Sequence, residues 1–107
     1  MECSKKYYGD ETVNLRELIE ANRKGFIKLE YYETKTVIQD QFIEYGIEVI
    51  KKEYINEQFI EEIQDVENIT ENEREIEEMI SILKRNKVTP MGLEDTISDL
   101  VKEKIAD

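Results

Sequence analysis

Three stretches in which apolar and polar residues alternate decide the fold of this chain: FIKLEYY (26–32), IEYGIEV (43–49) and FIEEI (59–63). Because successive side chains of a strand point to opposite faces, a period of two predicts strands with one apolar and one polar face. Polar residues at 39–41 and 56–57 suit turns between them. We therefore predict a three-stranded antiparallel meander whose open face is rich in Glu and Lys.

Two features of these strands bear on later points. Val37 and Ile38 leave the end of the first strand open, because the apolar pattern can continue through them. Gly46 interrupts the second strand, where a glycine marks either a bulge or a position at which another group packs closely. We favour close packing.

An N-terminal helix is predicted over residues 15–24. Asn14 is placed to cap this helix, Glu17 completes a capping box, and Val13 precedes the cap as a hydrophobic staple. Gly25 follows two basic residues, which is typical of a helix C-terminus. Residues 1–12 are expected to be poorly ordered, since chain ends commonly are.

A pair of amphipathic helices is predicted after the strands. TENE (70–73) is typical of a capping box, and Ile76, Met79, Ile80 and Leu83 follow at helical spacing. Thr89 is placed to cap the second helix and Pro90 to occupy its first position. Two helices over one apolar sheet face make an α+β fold, and we expect residues 1–107 to form a single domain.

Composition excludes several chemistries. The 107-residue chain has no histidine, so histidine triads and histidine-based metal centres are excluded. Cys3 is the one cysteine, so no intrachain disulfide can form. There is no glycine-rich phosphate loop. We expect no catalytic residue, no cofactor and no metal, and hence no enzyme.

No apolar run reaches the roughly 18 residues that a membrane-spanning helix needs, and the N-terminus does not resemble a secretory signal. We expect a protein without membrane contact, and a lone cysteine fits the reducing cytoplasm.

Negative charge dominates the second half of the chain. Asp and Glu number 26 against 15 Lys and Arg, for a net charge of -11. Residues 57–78 hold ten acidic residues and one basic residue, Arg74. Such a field repels nucleic acid and attracts a basic protein surface. We therefore expect a basic protein partner and no direct binding to nucleic acid.

Two segments, YGIEVI (45–50) and VTPMGLEDTISDL (88–100), resemble a family of short acidic proteins from clostridia and related bacteria that is known only as a domain of unknown function. The similarity covers about the C-terminal two thirds of the chain. It implies a small cytoplasmic bacterial protein and carries no activity, cofactor or partner with it.

Two groups of carboxylates could indicate a metal site and not a partner-binding surface. Glu30, Glu33 and Lys35 superficially match the acid and Glu-x-Lys arrangement of metal-dependent nucleases, which makes a metal-dependent hydrolase the alternative from another class. The acidic residues at 61, 62, 65 and 67 could crowd around a cation, but their spacing matches no known calcium loop. A solvated strand face explains both groupings better.

The sequence thus predicts a small acidic, non-enzymatic interaction module, a regulator or inhibitor that binds a basic protein surface. A nucleic-acid mimic that blocks a nucleic-acid-binding enzyme is the sharper version. A homo-oligomer in which a second copy covers the open sheet face or an edge strand is a further alternative. Tyr32 is one of the predicted contact residues, because one tyrosine of the adjacent pair Tyr31 and Tyr32 must face outward. The predicted partner-binding residues are Glu61, Glu62, Glu71, Glu75, Glu78 and Tyr32.

Overall fold

A computed structural model describes residues 2–13, 25–39, 42–55 and 57–106. Within these ranges the strands β1 (Glu2–Val13), β2 (Gly25–Ile38), β3 (Phe42–Ile55) and β4 (Gln58–Thr70) form one antiparallel sheet in the order β1-β2-β3-β4. The helices α1 (Glu73–Arg85) and α2 (Leu93–Ala106) follow, with a 3₁₀ turn at Pro90–Gly92 before α2. The architecture is therefore α+β, as predicted.

The sheet has four strands, and the predicted number of three was wrong. The missed strand, β1, pairs with β2 along its length, with a bulge between Tyr7 and Gly9. Its first seven residues are all exposed, because β1 lies at the edge of the sheet. An edge strand with both faces largely in solvent needs no apolar alternation, so periodicity could not reveal it. The predicted N-terminal helix at 15–24 lies outside the described residues.

The strands are also longer than their alternating cores. β2 continues through Val37 and Ile38 and pairs with β3 over its whole length, from Gly25 opposite Ile55 to Ile38 opposite Phe42. Strands of this length give the molecule its extents of 52 × 33 × 17 Å. The smallest extent matches one sheet covered by one layer of helices.

Both helices pack on one side of the sheet, here called the core face. This face presents Leu29 and Tyr31 of β2 and Tyr45, Ile47 and Val49 of β3, all buried. The helices contribute Ile76, Met79, Ile80 and Leu83 from α1 and Leu93 and Ile97 from α2. The Tyr31 hydroxyl donates a hydrogen bond of 2.9 Å to the Val88 carbonyl, which ties the connection between the helices to the sheet.

Helix α1 confirms the predicted apolar stripe, but its cap is Asn72 and not Thr70. The Asn72 side chain accepts hydrogen bonds from the backbone N–H groups of Arg74 and Glu75. Asn72 has the extended backbone that an N-cap requires. The Thr70 hydroxyl instead accepts from the Asn72 N–H and donates to Glu75.

The connection between the helices is held by the backbone. At the end of α1, Lys87 adopts a left-handed conformation (φ 52°). The N–H groups of Lys87 and Val88 donate to the carbonyls of Lys84 and Leu83, as in a Schellman motif. Thr89 makes no side-chain capping bond, contrary to the prediction, and Pro90 begins the 3₁₀ turn.

Gly46 is a site of close packing, as expected, and a bulge lies opposite it. The register of β3 and β4 shifts between Tyr45 and Ile47. A Cβ atom built on Gly46 would lie 2.5 Å from the Val66 carbonyl oxygen and 2.6 Å from Thr34 Oγ1. Only glycine lets the backbone of β4 approach this closely.

Candidate interaction surface

The acidic stretch, defined as residues 57–78, runs along one edge of the molecule and onto its helical layer. It occupies β4, the last strand of the sheet, and the first half of α1. On β4, Glu61 and Glu62 are both exposed and point to opposite faces, because adjacent residues of a strand do so. Glu71 and Glu78 are also exposed. Four of the six predicted contact residues therefore lie at the surface.

The other two predicted contact residues are engaged within the protein. Glu75 is half-buried and accepts a hydrogen bond of 2.9 Å from the Thr70 hydroxyl. Tyr32 is half-buried on the side of the sheet away from the helices, here called the open face. Its hydroxyl donates to Glu30, and the Lys5 ammonium lies 4.6 Å from its ring centroid. Both residues stabilise the fold, so they are weaker candidates for partner contact than the exposed carboxylates.

The ion pairs among the described residues use carboxylates outside the acidic stretch. The ion pairs join Lys5 to Glu48, Lys28 to Asp10 and Glu30, Lys51 to Glu53, Lys52 to Glu30 and Lys84 to Glu11, with N–O distances from 2.8 to 3.9 Å. Lys51 and Lys52 stand opposite Glu62 and Glu61 in the register of β3 and β4, yet their ammonium groups lie against Glu53 and Glu30. Glu61 and Glu62 take part in neither ion pair and act on the lysines opposite them only as nearby charges.

Glu30 is the centre of charge on the open face. Burial raises the pKa of its carboxyl, but hydrogen bonds from Lys52, Tyr32 and Lys28 outweigh burial and hold that pKa below its usual value. The side chain is 8% exposed. Glu30 is therefore an ionised, internally neutralised group with a structural role.

The hydrolase constellation is divided by the sheet. Glu30 lies on the open face, whereas Glu33 is buried on the core face beneath α1. Residues three apart on a strand point to opposite sides. Glu30, Glu33 and Lys35 therefore do not converge on one point, as a shared metal site would require.

A different carboxylate trio does converge. Oxygen atoms of Glu33, Glu73 and Glu77 lie within 4.8 Å of one another. Burial, followed by a hydrogen bond and repulsion from Glu73, raises the pKa of Glu33 to about 7, against an opposing effect of Lys6. The sequence could not reveal this trio, because it depends on how α1 lies across β2.

Glu33 holds a proton at mildly acidic pH, since its pKa is about 7. Burial and the neighbouring carboxylates disfavour its charged form. The acidic residues at 61, 62, 65 and 67 form no comparable cluster among the described residues, since β4 distributes them over both faces.

An aromatic row on the open face was missed by the sequence analysis. Phe26, Tyr54 and Phe59 stand opposite one another on β2, β3 and β4. Their ring centroids are 4.6 and 4.8 Å apart, and their exposed fractions are 40%, 39% and 53%. Exposed neighbouring rings are typical of contact surfaces. The register of three strands is needed to see that they meet.

Two grooves on the described surface are lined mainly by polar and charged residues. One of about 610 Å³ is lined by Tyr8, Glu11, Ser81, Lys84 and Arg85, between β1 and α1. Another of about 220 Å³ on the open face includes Lys5, Thr34, Glu48, Asp65 and Glu67. Small-molecule sites are usually apolar clefts with a few polar groups, and neither groove has that character.

Comparison with known families shows that residues 10–103 match the Family of unknown function DUF6514. The chain belongs to this family, which confirms the predicted relationship to a domain of unknown function. No curated protein and no solved structure matches the chain. Among the described residues, neither helix is both long enough and apolar enough to cross a membrane.

Proposed function

We propose that the protein is a small non-enzymatic interaction module, a regulator or inhibitor, that binds a basic surface of another protein through the acidic stretch. The observation that carries this proposal is the exposure of Glu61, Glu62, Glu71 and Glu78. The ion pairs of the sheet use other carboxylates. The exposed free thiol of Cys3 fits a reducing compartment, so a cytoplasmic location is part of the proposal.

The charge arrangement supports association with a cationic partner. The net charge is -11, and residues 57–78 hold ten acidic residues, on one strand, on the helix that follows it and in the turns beside them. Such a field accelerates encounter with a basic surface and weakens as salt shortens the Debye length, from about 10 Å at 0.1 M to about 3 Å at 1 M. Binding should therefore depend strongly on salt.

Mixed chemistry on β4 favours a protein partner over the role of nucleic-acid mimic. On the open face, Phe59 and Ile63 alternate with Glu61 and Asp65, and each of the two apolar side chains is 53% exposed. A mimic needs an uninterrupted row of anionic groups, whereas this row is half apolar. Partner proteins commonly combine apolar anchors with a charged rim.

Affinity capture tests the proposal. The folded protein is immobilised and exposed to an extract of its own cells at low and at high salt. We expect one basic protein to be retained at low salt and released at high salt. A triple variant, Glu61→Gln, Glu62→Gln and Glu78→Gln, should reduce capture at least severalfold, because it removes exposed charge from the acidic stretch.

The matched control removes the same number of charges elsewhere. Its substitutions, at exposed positions on β1 and α2, are Glu2→Gln, Asp99→Asn and Glu103→Gln. The control should retain the partner. Equal loss in both triple variants would show that net charge, and not this surface, governs binding, and absence of any salt-sensitive partner would contradict the proposal.

A further inference from the structure

Within the part of the chain that the structure describes, strand β4 leaves one long edge of the sheet free. It pairs with β3 on one side and is last in the strand order, so the backbone groups on its other side have no strand partner in the described sheet. Residues 58–63 are exposed without interruption. A free edge of this kind is a template for another extended chain.

The side chains along that edge follow a definite order. On the open face, β4 presents Phe59, Glu61, Ile63 and Asp65 in turn, so apolar and acidic groups alternate at every second residue. All four are exposed. Directly opposed cross-strand pairs contribute to strand pairing, and opposite charges favour it. An added strand would thus meet an apolar, an acidic, an apolar and an acidic neighbour in succession.

We propose that the free edge of β4 accepts an extended basic segment of a partner protein by strand addition, with apolar side chains beside Phe59 and Ile63 and Lys or Arg beside Glu61 and Asp65. The inference rests on the proposed function and specifies the partner's chemistry. The segment has apolar and basic residues alternating along one of its faces. Backbone hydrogen bonds supply affinity, and the ordered side chains supply register.

A second copy of this chain is a poor occupant of the same edge. Antiparallel pairing of two β4 strands centred on residue 61 sets Glu61 against itself, and pairing centred on residue 62 does the same for Glu62. Pairing centred on residue 63 sets Glu61 against Asp65. Like charges directly opposite each other destabilise pairing. In these registers the acidic edge disfavours self-association, whereas a basic strand meets no such repulsion.

Synthetic peptides test this proposal with the full chain. The probe repeats Val-Thr-Lys-Thr, which places valine and lysine alternately on one face of an extended strand. One control peptide has the same composition with valine and lysine on opposite faces. Another is the probe with an N-methyl group at every residue, which removes the N–H donors of both strand edges. Fluorescence anisotropy of labelled peptide measures binding, and sedimentation monitors the oligomeric state.

We expect the probe to bind at low salt and to slow amide hydrogen exchange in β4. The control with opposite faces should bind more weakly, and the N-methylated probe should not bind. Equal binding of the probe and the N-methylated peptide would overturn strand addition. A stable dimer of the protein alone would overturn the choice of partner, because a second copy would then occupy the edge.

Neighbouring residues of β4 provide matched variants. Glu61→Gln should weaken probe binding about two- to fivefold, whereas Glu62→Gln, with the same loss of charge on the other face, should have a smaller effect. Ile63→Ser should weaken binding, and Ile60→Ser should not, although both isoleucines are about equally exposed, at 53% and 50%.

The variants also separate the two proposals. Equal weakening by Glu61→Gln and Glu62→Gln would overturn the site on the open-face side of β4 while leaving a generally acidic binding surface in place. Absence of salt-dependent binding, both to the peptides and in affinity capture, would contradict the proposed function itself.

Discussion

Glu33 is the residue whose ionisation depends most on the fold. It lies on β2 beneath the start of α1, 4% exposed, with Glu73 and Glu77 close by and Lys6 opposite it on β1. Burial and the neighbouring carboxylates raise its pKa from 4.5 to about 7. The folded state therefore binds a proton at Glu33 that the unfolded chain releases over this range.

The first prediction concerns pH. The stabilising contribution of protonated Glu33 is complete below about pH 4.5 and is lost as the pH rises through about 7. Glu33→Gln should remove this loss and raise the free energy of unfolding above pH 7, by on the order of 1–3 kcal/mol. Urea denaturation at intervals of about one pH unit, from pH 4 to pH 8, measures the free energy of unfolding of both proteins.

Glu78→Gln is the control for Glu33→Gln. Glu78 lies on the same helix but is exposed and outside the trio, so its replacement should leave the shape of the pH profile unchanged. If the free energy of unfolding of the wild-type protein did not change between pH 4.5 and about pH 7, α1 would not hold Glu33 out of water.

Gly46 carries the second prediction. A methyl group there would meet the Val66 carbonyl oxygen and Thr34 Oγ1 at less than 3 Å, so the backbone of β4 would have to move. Gly46→Ala should lower the free energy of unfolding by about 1–3 kcal/mol. Gly92→Ala is the matched control, because the nearest atom to a Cβ there is 4.0 Å away. Similar denaturation midpoints for the two variants would contradict the close approach.

At the scale of elements, the cap of α1 gives a third prediction. Asn72→Ala removes the side-chain oxygen that accepts from Arg74 and Glu75 and should cost about 1 kcal/mol of stability. Asn72→Asp keeps a capping oxygen and should restore stability. Thermal unfolding monitored by circular dichroism compares the three proteins. An aspartate variant as unstable as the alanine variant would argue against capping at this position.

Elements were predictable where burial imposes a period. The alternation in β2 and β3 and the stripe of α1 reflect side chains that the core requires, since Leu29, Val49 and Ile76 are fully buried. The sequence did not predict β1, because an exposed edge strand needs no such alternating pattern. The cap of α1 was misplaced because Thr70 and Asn72 are both good capping residues, and only the backbone conformation at Asn72 distinguishes them.

At the scale of the whole molecule, the acidic stretch was visible in composition, but its geometry was not. Charge counts located residues 57–78, whereas the free edge depends on β4 being last in the strand order. Tyr32 shows the same limit of sequence reasoning. The alternation of side chains along a strand predicted that it faces outward, but its hydroxyl donates to Glu30 and its ring contacts Lys5. Sequence reasoning identified the kind of surface, and tertiary structure decided which side chains it contains.

The order of elements along the chain has a consequence for biosynthesis. All four described strands precede both described helices, so the ribosome releases these strands before the two helices that cover them. Until α1 and α2 emerge, Leu29, Ile47 and Val49 lack both of the described helices against which they pack. Nascent chains with uncovered apolar surface are the ones that aggregate or recruit chaperones. The carboxylates of β4 are synthesised just before the helices. Their negative charges repel other chains and so disfavour aggregation of this intermediate.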